Sequence, residues 1–215
     1  MAALHKIAKR FYRGRFMMNK RLALLTILLF ILAVVFASCA TLQKPTADNF
    51  KDPMIQLDSI QLAYYEGFWY YGKAKVAMGK APKGGGSSPV TLDFVFEITN
   101  PNPYPVRLDS SKFFLYFDDY ELRVVNDNNH MWIPPGKTNI KVLPVTLTPF
   151  STYVKFLLAS KELALSRGDK PWDKIKQWWE GLPDMSFKIT VDEGTFTFSA
   201  DSVIRVVPFH ATLQD

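Results

Sequence analysis

The chain has little of what chemistry at a protein site requires. Among its 215 residues there is one cysteine, Cys39, and of its three histidines only His130 and His210 follow that cysteine. A single thiol forms no internal disulfide, so the folded part must be stabilised by its apolar core. Two histidines distant in sequence, with no thiol beside either, fall short of the convergent donors a zinc site needs. Asp127-Asn128-Asn129 offers oxygen donors, but the stretch lacks the glycine and terminal glutamate of the calcium-binding loop and reads as a solvated turn. No Gly-x-Ser-x-Gly elbow occurs, and scattered Ser, His and Asp residues define no triad. Asp118-Asp119 is a carboxylate pair in sequence, yet neighbours on a strand point to opposite faces and cannot jointly hold a proton. The expectation is a protein with no catalytic residue, no cofactor and no metal.

Charge of one sign is also scarce outside one segment. The net charge is +6, but seven basic residues and no acid lie within residues 1–38. From Cys39 onward 19 basic residues face 20 acidic ones, so the body has no field to attract a polyphosphate, and no nucleic-acid partner is expected.

Long apolar runs are absent with one exception. Leu22 to Ala37, LALLTILLFILAVVFA, is interrupted only by Thr26 and follows Asn19-Lys20-Arg21. Sixteen residues are slightly short for a membrane span of about 20 but fit the apolar region of a secretory leader. Phe36-Ala37-Ser38-Cys39 resembles the bacterial lipobox, in which small residues precede a cysteine that becomes the lipidated first residue of the mature protein. An uncleaved helix ending at Cys39 is the alternative, and Met17 or Met18 could be the true start. Both readings leave the basic segment in the cytoplasm and carry everything after Cys39 across the membrane, to the periplasmic side of a bacterial envelope.

Beyond Cys39, ATLQKPTADNFKDP is polar, holds two prolines and shows no periodicity, as in a tether. The expected division is 1–38 leader, 39–54 lipidated Cys39 and tether, and 55–210 folded domain. Within that domain the dominant period is two. Ile60, Leu62 and Tyr64 alternate with polar or small residues, as do Leu92, Phe94, Phe96 and Ile98. Further strands are predicted over 73–78, 112–117, 121–125, 139–147, 186–191, 195–199 and 202–207. Asp192-Glu193-Gly194 reads as a tight turn between two of them. Pro144 removes a ladder donor, so its strand should be an edge or carry a bulge. About nine short strands predict a β-sandwich.

One helical interruption is expected over 150–181. In FSTYVKFLLASKELALSR, Val154, Leu157, Leu158 and Leu165 fall on one stripe that should pack on the sandwich, with Ser151 as N-cap and Gly168 as the stop. A shorter helix starts at Pro171 and carries Trp172, Ile175 and Trp179. Gly84-Gly85-Gly86-Ser87-Ser88 is followed by a strand rather than a helix, and so reads as a hairpin tip and not as a phosphate loop.

Residues 97–109, EITNPNPYPVRLD, crowd three prolines into what should be sheet. Asparagine closes local turns with its side chain, and each proline fixes φ and extends the residue before it. The segment is therefore a stiff corner between two strands, with nothing in it to act as acid, base or nucleophile. A strand running into NPNPYPVRLD, then Phe113 to Phe117, Tyr120 to Val125, and Ile133-Pro134-Pro135-Gly136-Lys137-Thr138 before another strand, resembles the type 2 late embryogenesis abundant family, also called the WHy domain. The resemblance covers about residues 57–207, and Asn100-Pro101-Asn102 is its most specific part. It implies one immunoglobulin- or fibronectin III-like β-sandwich and a proposed role in protection against desiccation and related stress. Bacterial members are often lipoproteins, in line with a lipid anchor on Cys39. The helical insertion and the glycine-containing hairpin are longer than the family pattern needs.

Two aromatic clusters complete the reading: Phe68-Trp69-Tyr70-Tyr71, and Trp172, Trp178 and Trp179. Trp172 and Trp179 share a helical face and are expected in the core. Trp69 and Trp178 are candidates for core or for contact with a protein or lipid partner. The functional expectation is a membrane-anchored, non-enzymatic stress-protection domain, and its rival is an envelope assembly or transport component.

Overall fold

The structure, a computed structural model, describes Leu25, residues 43–68 and residues 88–213. The leader, Cys39, Trp69, the strand expected over 73–78 and the glycines at 84–86 lie outside the described residues. The chain divides into compact units at 1–43 and 44–215, and the architecture below is that of the second.

Eight strands are described: β1 (Met54–Tyr65), β2 (Val90–Thr99), β3 (Val106–Phe117), β4 (Tyr120–Asp127), β5 (Met131–Ile133), β6 (Thr138–Leu147), β7 (Ile189–Ala200) and β8 (Val203–Leu213). Between β6 and β7 stand three helices, α1 (Pro149–Ala159), α2 (Lys161–Arg167) and α3 (Pro171–Gly181), with a 3-10 turn over Leu182–Asp184. One sheet has the order β1-β2-β6; the other has β4-β3-β7-β8, with β5 pairing β3. All pairings are antiparallel. This is a β-sandwich with a helical insertion.

Alternation builds the core. Val90, Leu92, Phe94, Phe96 and Ile98 of β2 are all fully buried, as are Phe113, Leu115 and Phe117 of β3 and Phe196 and Phe198 of β7. The ring of Phe96 lies 5.8 Å from Phe113 and 5.3 Å from Phe196, so the two sheets meet through edge-on and tilted aromatic contacts. The alternation expected for β1 does not last the strand. Ile60 is buried but Tyr64 is exposed, because bulges at Leu57/Ser59 and Leu62/Tyr64 shift the register and turn the later side chains outward.

Pro144 does sit on an edge: within its sheet β6 pairs β2 alone. That edge is closed by side-chain bonds that run between β6 and the other sheet. Arg123 donates to the Thr146 carbonyl at 3.1 Å, Asn139 donates to the Trp132 carbonyl at 2.8 Å, and Lys141 pairs with Asp127 at 2.6 Å. The turn expected at Asp192-Glu193-Gly194 is instead a bulge inside the single strand β7. Glu193 takes φ 48°, and a side chain at Gly194 would meet the Phe209 carbonyl at 2.6 Å. Glycine is required there by close approach of the neighbouring strand, not by chain reversal.

The first helix breaks in two at Ser160, and its N-cap is Thr148, with Ser151 completing the reciprocal capping box from the N3 position. Its buried face is also not the one expected. Thr152 and Phe156 are buried, Leu157 is half-buried, and Val154, Leu158 and Leu165 are exposed at 39%, 80% and 72%. Phe156 is held in place by a stacked Tyr120 ring 4.7 Å away, so the aromatic side chain rather than the aliphatic stripe faces the sandwich. In α3 Trp179 is fully buried as expected, Trp172 is half-buried and stacks on Tyr153 at 4.3 Å, and Trp178 is fully buried against Phe117 and Tyr120. Trp178 is therefore core and cannot be a partner contact.

Truncating Trp178 to alanine should cost about 3–5 kcal/mol, whereas Leu158→Ala, on the same insertion, should stay within about 0.5 kcal/mol. Urea unfolding of both variants checks this; equal losses would mean that the exposed stripe is the packed one.

Candidate functional site

Four places gather polar or apolar side chains in a way that invites a functional reading: the Asn-Pro-Asn corner, the β3–β4 turn, a hollow near β8, and the outer face of α1.

The corner lies between β2 and β3, where the chain crosses from one sheet to the other. Asn100 and Asn102 are buried. The Asn100 amide nitrogen donates to the carbonyls of Tyr104 at 2.8 Å, Ile133 at 3.1 Å and Pro134 at 3.2 Å. Its side-chain oxygen accepts from the backbone and side-chain nitrogens of Asn102 at 2.9 and 3.0 Å. Asn102 in turn accepts from the Lys51 N–H and donates to the Lys51 carbonyl, both at 2.8 Å, as a neighbouring strand would. Every one of these bonds ends on backbone or on the other asparagine, so the motif organises chain.

Through Lys51 the corner also holds the segment expected to be a tether. Phe50 is 5% exposed and Pro53 is buried. Tyr104 donates to the Asn49 side chain at 2.9 Å, Arg205 donates to the Ala47 carbonyl at 2.5 Å, and Thr46 and Asn49 cap each other. The folded unit thus begins at Lys44 and not near Ile55, and it extends past 210 to Leu213. Composition concealed this, because a polar segment can be docked by its backbone as firmly as by apolar side chains.

Asp118 and Asp119 are not strand neighbours. They form the two-residue turn between β3 and β4, both with positive φ (48° and 74°), as a hairpin turn of the primed type demands. Asp118 accepts from the indole nitrogen of Trp178 at 2.9 Å and from Lys174 at 2.8 Å, while Asp119 accepts from Lys188 at 2.5 Å and Arg167 at 2.9 Å. Arg167 also donates to the Asp118 carbonyl at 2.8 Å. Burial pushes Asp118 upward, but the bonds from Lys174, Trp178 and the Lys188 N–H together with the Lys174 charge outweigh it and hold the carboxyl below the usual range. Bonds from Lys188 and Arg167 hold Asp119 low as well. Both carboxylates are therefore ionised latches between the sheet and the helices. Tyr120 extends the network to Asp169, and burial with that bond pushes its phenol up to about 12.

The hollow has a volume of about 350 Å³ and is lined by Tyr116, Asp119, Lys188, Thr190, Asp192, His210 and Thr212. His210 meets Asp192 at 2.9 Å, and this bond, with one from the Glu193 N–H, holds Asp192 below the usual carboxylate range. Burial and the carboxylates of Glu193, Glu121 and Asp192 push Tyr116 up to about 12. The hydroxyls of Thr190 and Thr212 face each other at 3.4 Å. His210 and Asp192 are each about half exposed or more, so their pairing works in solvent and supplies little.

His130 is elsewhere, 3.6 Å from Asp109. The two histidines are not brought together, and among the described residues no group of three or more His, Cys, Asp and Glu converges on a metal-sized site. Asp127 ends β4, is largely buried against Lys141 and is bonded by Asn129, so of the expected solvated turn only Asn128 and Asn129 are exposed. Among the described residues no helix is long and apolar enough to cross a membrane.

No family model and no curated protein matches the chain. Among solved structures it is distantly similar to a protein from Archaeoglobus fulgidus, 10% identical, over 74% of this chain and 98% of that one with a TM-score of 0.38. It is also similar to the Northeast Structural Genomics Consortium target SoR45, 8% identical, over 76% of this chain and 86% of that one with a TM-score of 0.40.

The Asp118 latch has a pH signature. A carboxyl whose folded pKa is depressed stabilises the fold above its unfolded value of about 3.9, and that contribution is lost as pH falls through the lower folded value. Asp118→Asn keeps a side chain that tolerates positive φ while removing the charge. The variant should be less stable than the parent near pH 6 and should lose less stability on going to about pH 3. Urea midpoints at the two pH values measure this, and an unchanged drop would remove Asp118 from the linkage.

Proposed function

We propose that this chain is a membrane-anchored, non-enzymatic stress-protection domain of the type 2 late embryogenesis abundant kind, held on the periplasmic side of a bacterial envelope by a lipid on Cys39. The observation that carries the reading is the corner: Asn100 and Asn102, of the motif on which the family resemblance rests, are buried and bonded to the backbone of Tyr104, Ile133, Pro134 and Lys51 around the crossover between the two sheets. A motif spent on backbone specifies a shape, and the shape is the sandwich that the resemblance implies.

Such a domain protects through many weak contacts of a charged, near-neutral surface. The described ion pairs are spread over that surface, with Arg107–Asp109, Lys141–Asp127, Lys155–Glu121 and Lys176–Glu180 on different elements. Both signs are interspersed, which keeps the surface solvated without steering it to one polyion.

One feature favours a second reading as an assembly or transport component. Phe150, Val154 and Leu158 recur at every fourth residue of α1 and are exposed at 48%, 39% and 80%. An apolar stripe of this kind is a common docking surface for another protein.

A single experiment separates the two. A labile enzyme is dried and rehydrated with the soluble domain, residues 44–215, or with an equal mass of an unrelated sandwich protein, and the retained activity is compared. The protection reading expects clearly higher retention with this domain, undiminished when Val154 and Leu158 are both changed to Ser. Retention no better than the control counts against protection, and loss of the benefit in the double variant moves the function to the stripe.

A further inference from the structure

The docked segment 44–53 fixes more than stability. Lys44 is already part of the folded unit, its carbonyl accepting from Asn49 at 2.9 Å. Only five peptide units separate Cys39 from Lys44, a reach of at most about 18 Å. A domain on so short a lead cannot tumble freely above its anchor, and one end of it must stay close to the bilayer.

The register identifies that end. Met54, Thr99 and Thr138 lie side by side at one end of the three-stranded sheet, together with the corner and the docked segment. Val90 and Leu147 lie at the other end, where α1 begins. The ten residues of β2 span the two in nine steps, or roughly 30 Å.

At the corner end the surface has an unusual composition. Trp132 is 57% exposed, with the Arg107 guanidinium 5.7 Å from its ring, and it adjoins Ile133, whose carbonyl the Asn100 amide holds. Pro103, Pro134 and Pro135 are exposed beside it and offer no backbone N–H. Lys44, Lys51, Arg107, Lys137 and Arg205 share this end with Asp48, Asp52, Asp109 and Asp201, five basic against four acidic residues, so little net charge draws it to a surface. A tryptophan with a cation on its face and a rim of proline is suited to the headgroup layer, where an aromatic ring sits with its apolar body inward.

We propose that the corner end of the sandwich rests on the bilayer that holds Cys39, with Trp132 and Pro103, Pro134 and Pro135 at headgroup level and the helical insertion pointing away. The occupant of this surface is lipid, and the contact is apolar and tethered rather than electrostatic. This rests on the anchored reading above.

The test uses the full chain, processed in cells and reconstituted into phosphatidylethanolamine and phosphatidylglycerol vesicles that contain a nitroxide-headgroup lipid. A fluorophore is placed on Pro135→Cys or on Leu158→Cys, with the identically treated parent as blank. Position 135 should lose about half of its emission or more, and position 158, on the helical insertion that starts at the far end of the sheet, should keep nearly all of it. Raising salt about tenfold should leave the difference largely intact, since the contact carries little net charge. Equal quenching, or stronger quenching at 158, overturns the proposal while the anchor stands. Failure of the parent to float with the vesicles overturns the anchored reading, and the proposal falls with it. Quenching at 135 that salt abolishes overturns the apolar contact in favour of an electrostatic one.

Discussion

The side-chain amide of Asn100 is the group on which most of the fold depends. A sandwich must pass its chain from one sheet to the other, and at that passage the backbone leaves the ladder and exposes carbonyls that are buried by the layers above and below. One amide nitrogen meets three of them, at Tyr104, Ile133 and Pro134, while its oxygen fixes Asn102. Each buried carbonyl left unpaired would cost about 1–3 kcal/mol. The prolines around it keep the loop extended and remove donors that would otherwise need partners of their own. Asn102 then does for the incoming chain what a strand edge does, pairing both backbone groups of Lys51. Segment 44–53, both sheets and the 133–138 loop are thus joined at one small polar cluster.

The opposite end solves a different problem by different means. A hairpin turn with two positive φ angles favours Asn, Asp or Gly, and Asp was free to be used twice because cations arrive from elsewhere in the chain. Arg167 comes from α2, Lys174 and Trp178 from α3, and Lys188 from the approach to β7. The helices are therefore attached to the sandwich by an aromatic cluster around Tyr120, Phe156 and Trp178, and oriented by two carboxylates. Dispersion and burial supply the stability, and the carboxylates supply the angle.

Much of this was legible in the residues. Period two in β2 located the centre of the core, Pro144 located an edge, and the spacing of Pro171 and Gly181 bounded α3. What was not legible had one cause in common: side chains and backbone distant in sequence decide it. The bulges in β1 and β7 follow from which strand lies beside them, and Gly194 looked like a turn until the Phe209 carbonyl was seen against it. The α1 stripe was found at the right spacing but assigned to the wrong face, because Tyr120 offers Phe156 a flat ring and offers the aliphatic side chains nothing comparable. Segment 44–53 has no period at all, and it is Asn102, Tyr104 and Arg205, all distant in sequence, that make it structured. The corner itself was read correctly as the connection between two strands, since proline and asparagine act on their own backbone.

A motif of this kind limits what resemblance can carry. Asn100 and Asn102 spend their polar atoms on backbone carbonyls and amides, so the same three residues would be retained by any sandwich that needs this crossover, whatever its outer surface does. Function must then reside in side chains that the corner leaves unconstrained, and the molecule offers two such regions at opposite ends. Trp132 with its neighbouring prolines stands where the chain arrives from Cys39; Phe150, Val154 and Leu158 stand where the insertion projects. On the anchored reading proposed above, the length of the lead keeps the first near the bilayer and carries the second roughly one strand length beyond it. On that proposal a short, docked lead would turn the sandwich into a spacer of defined height, and a client or partner of the outer end would meet it at that height.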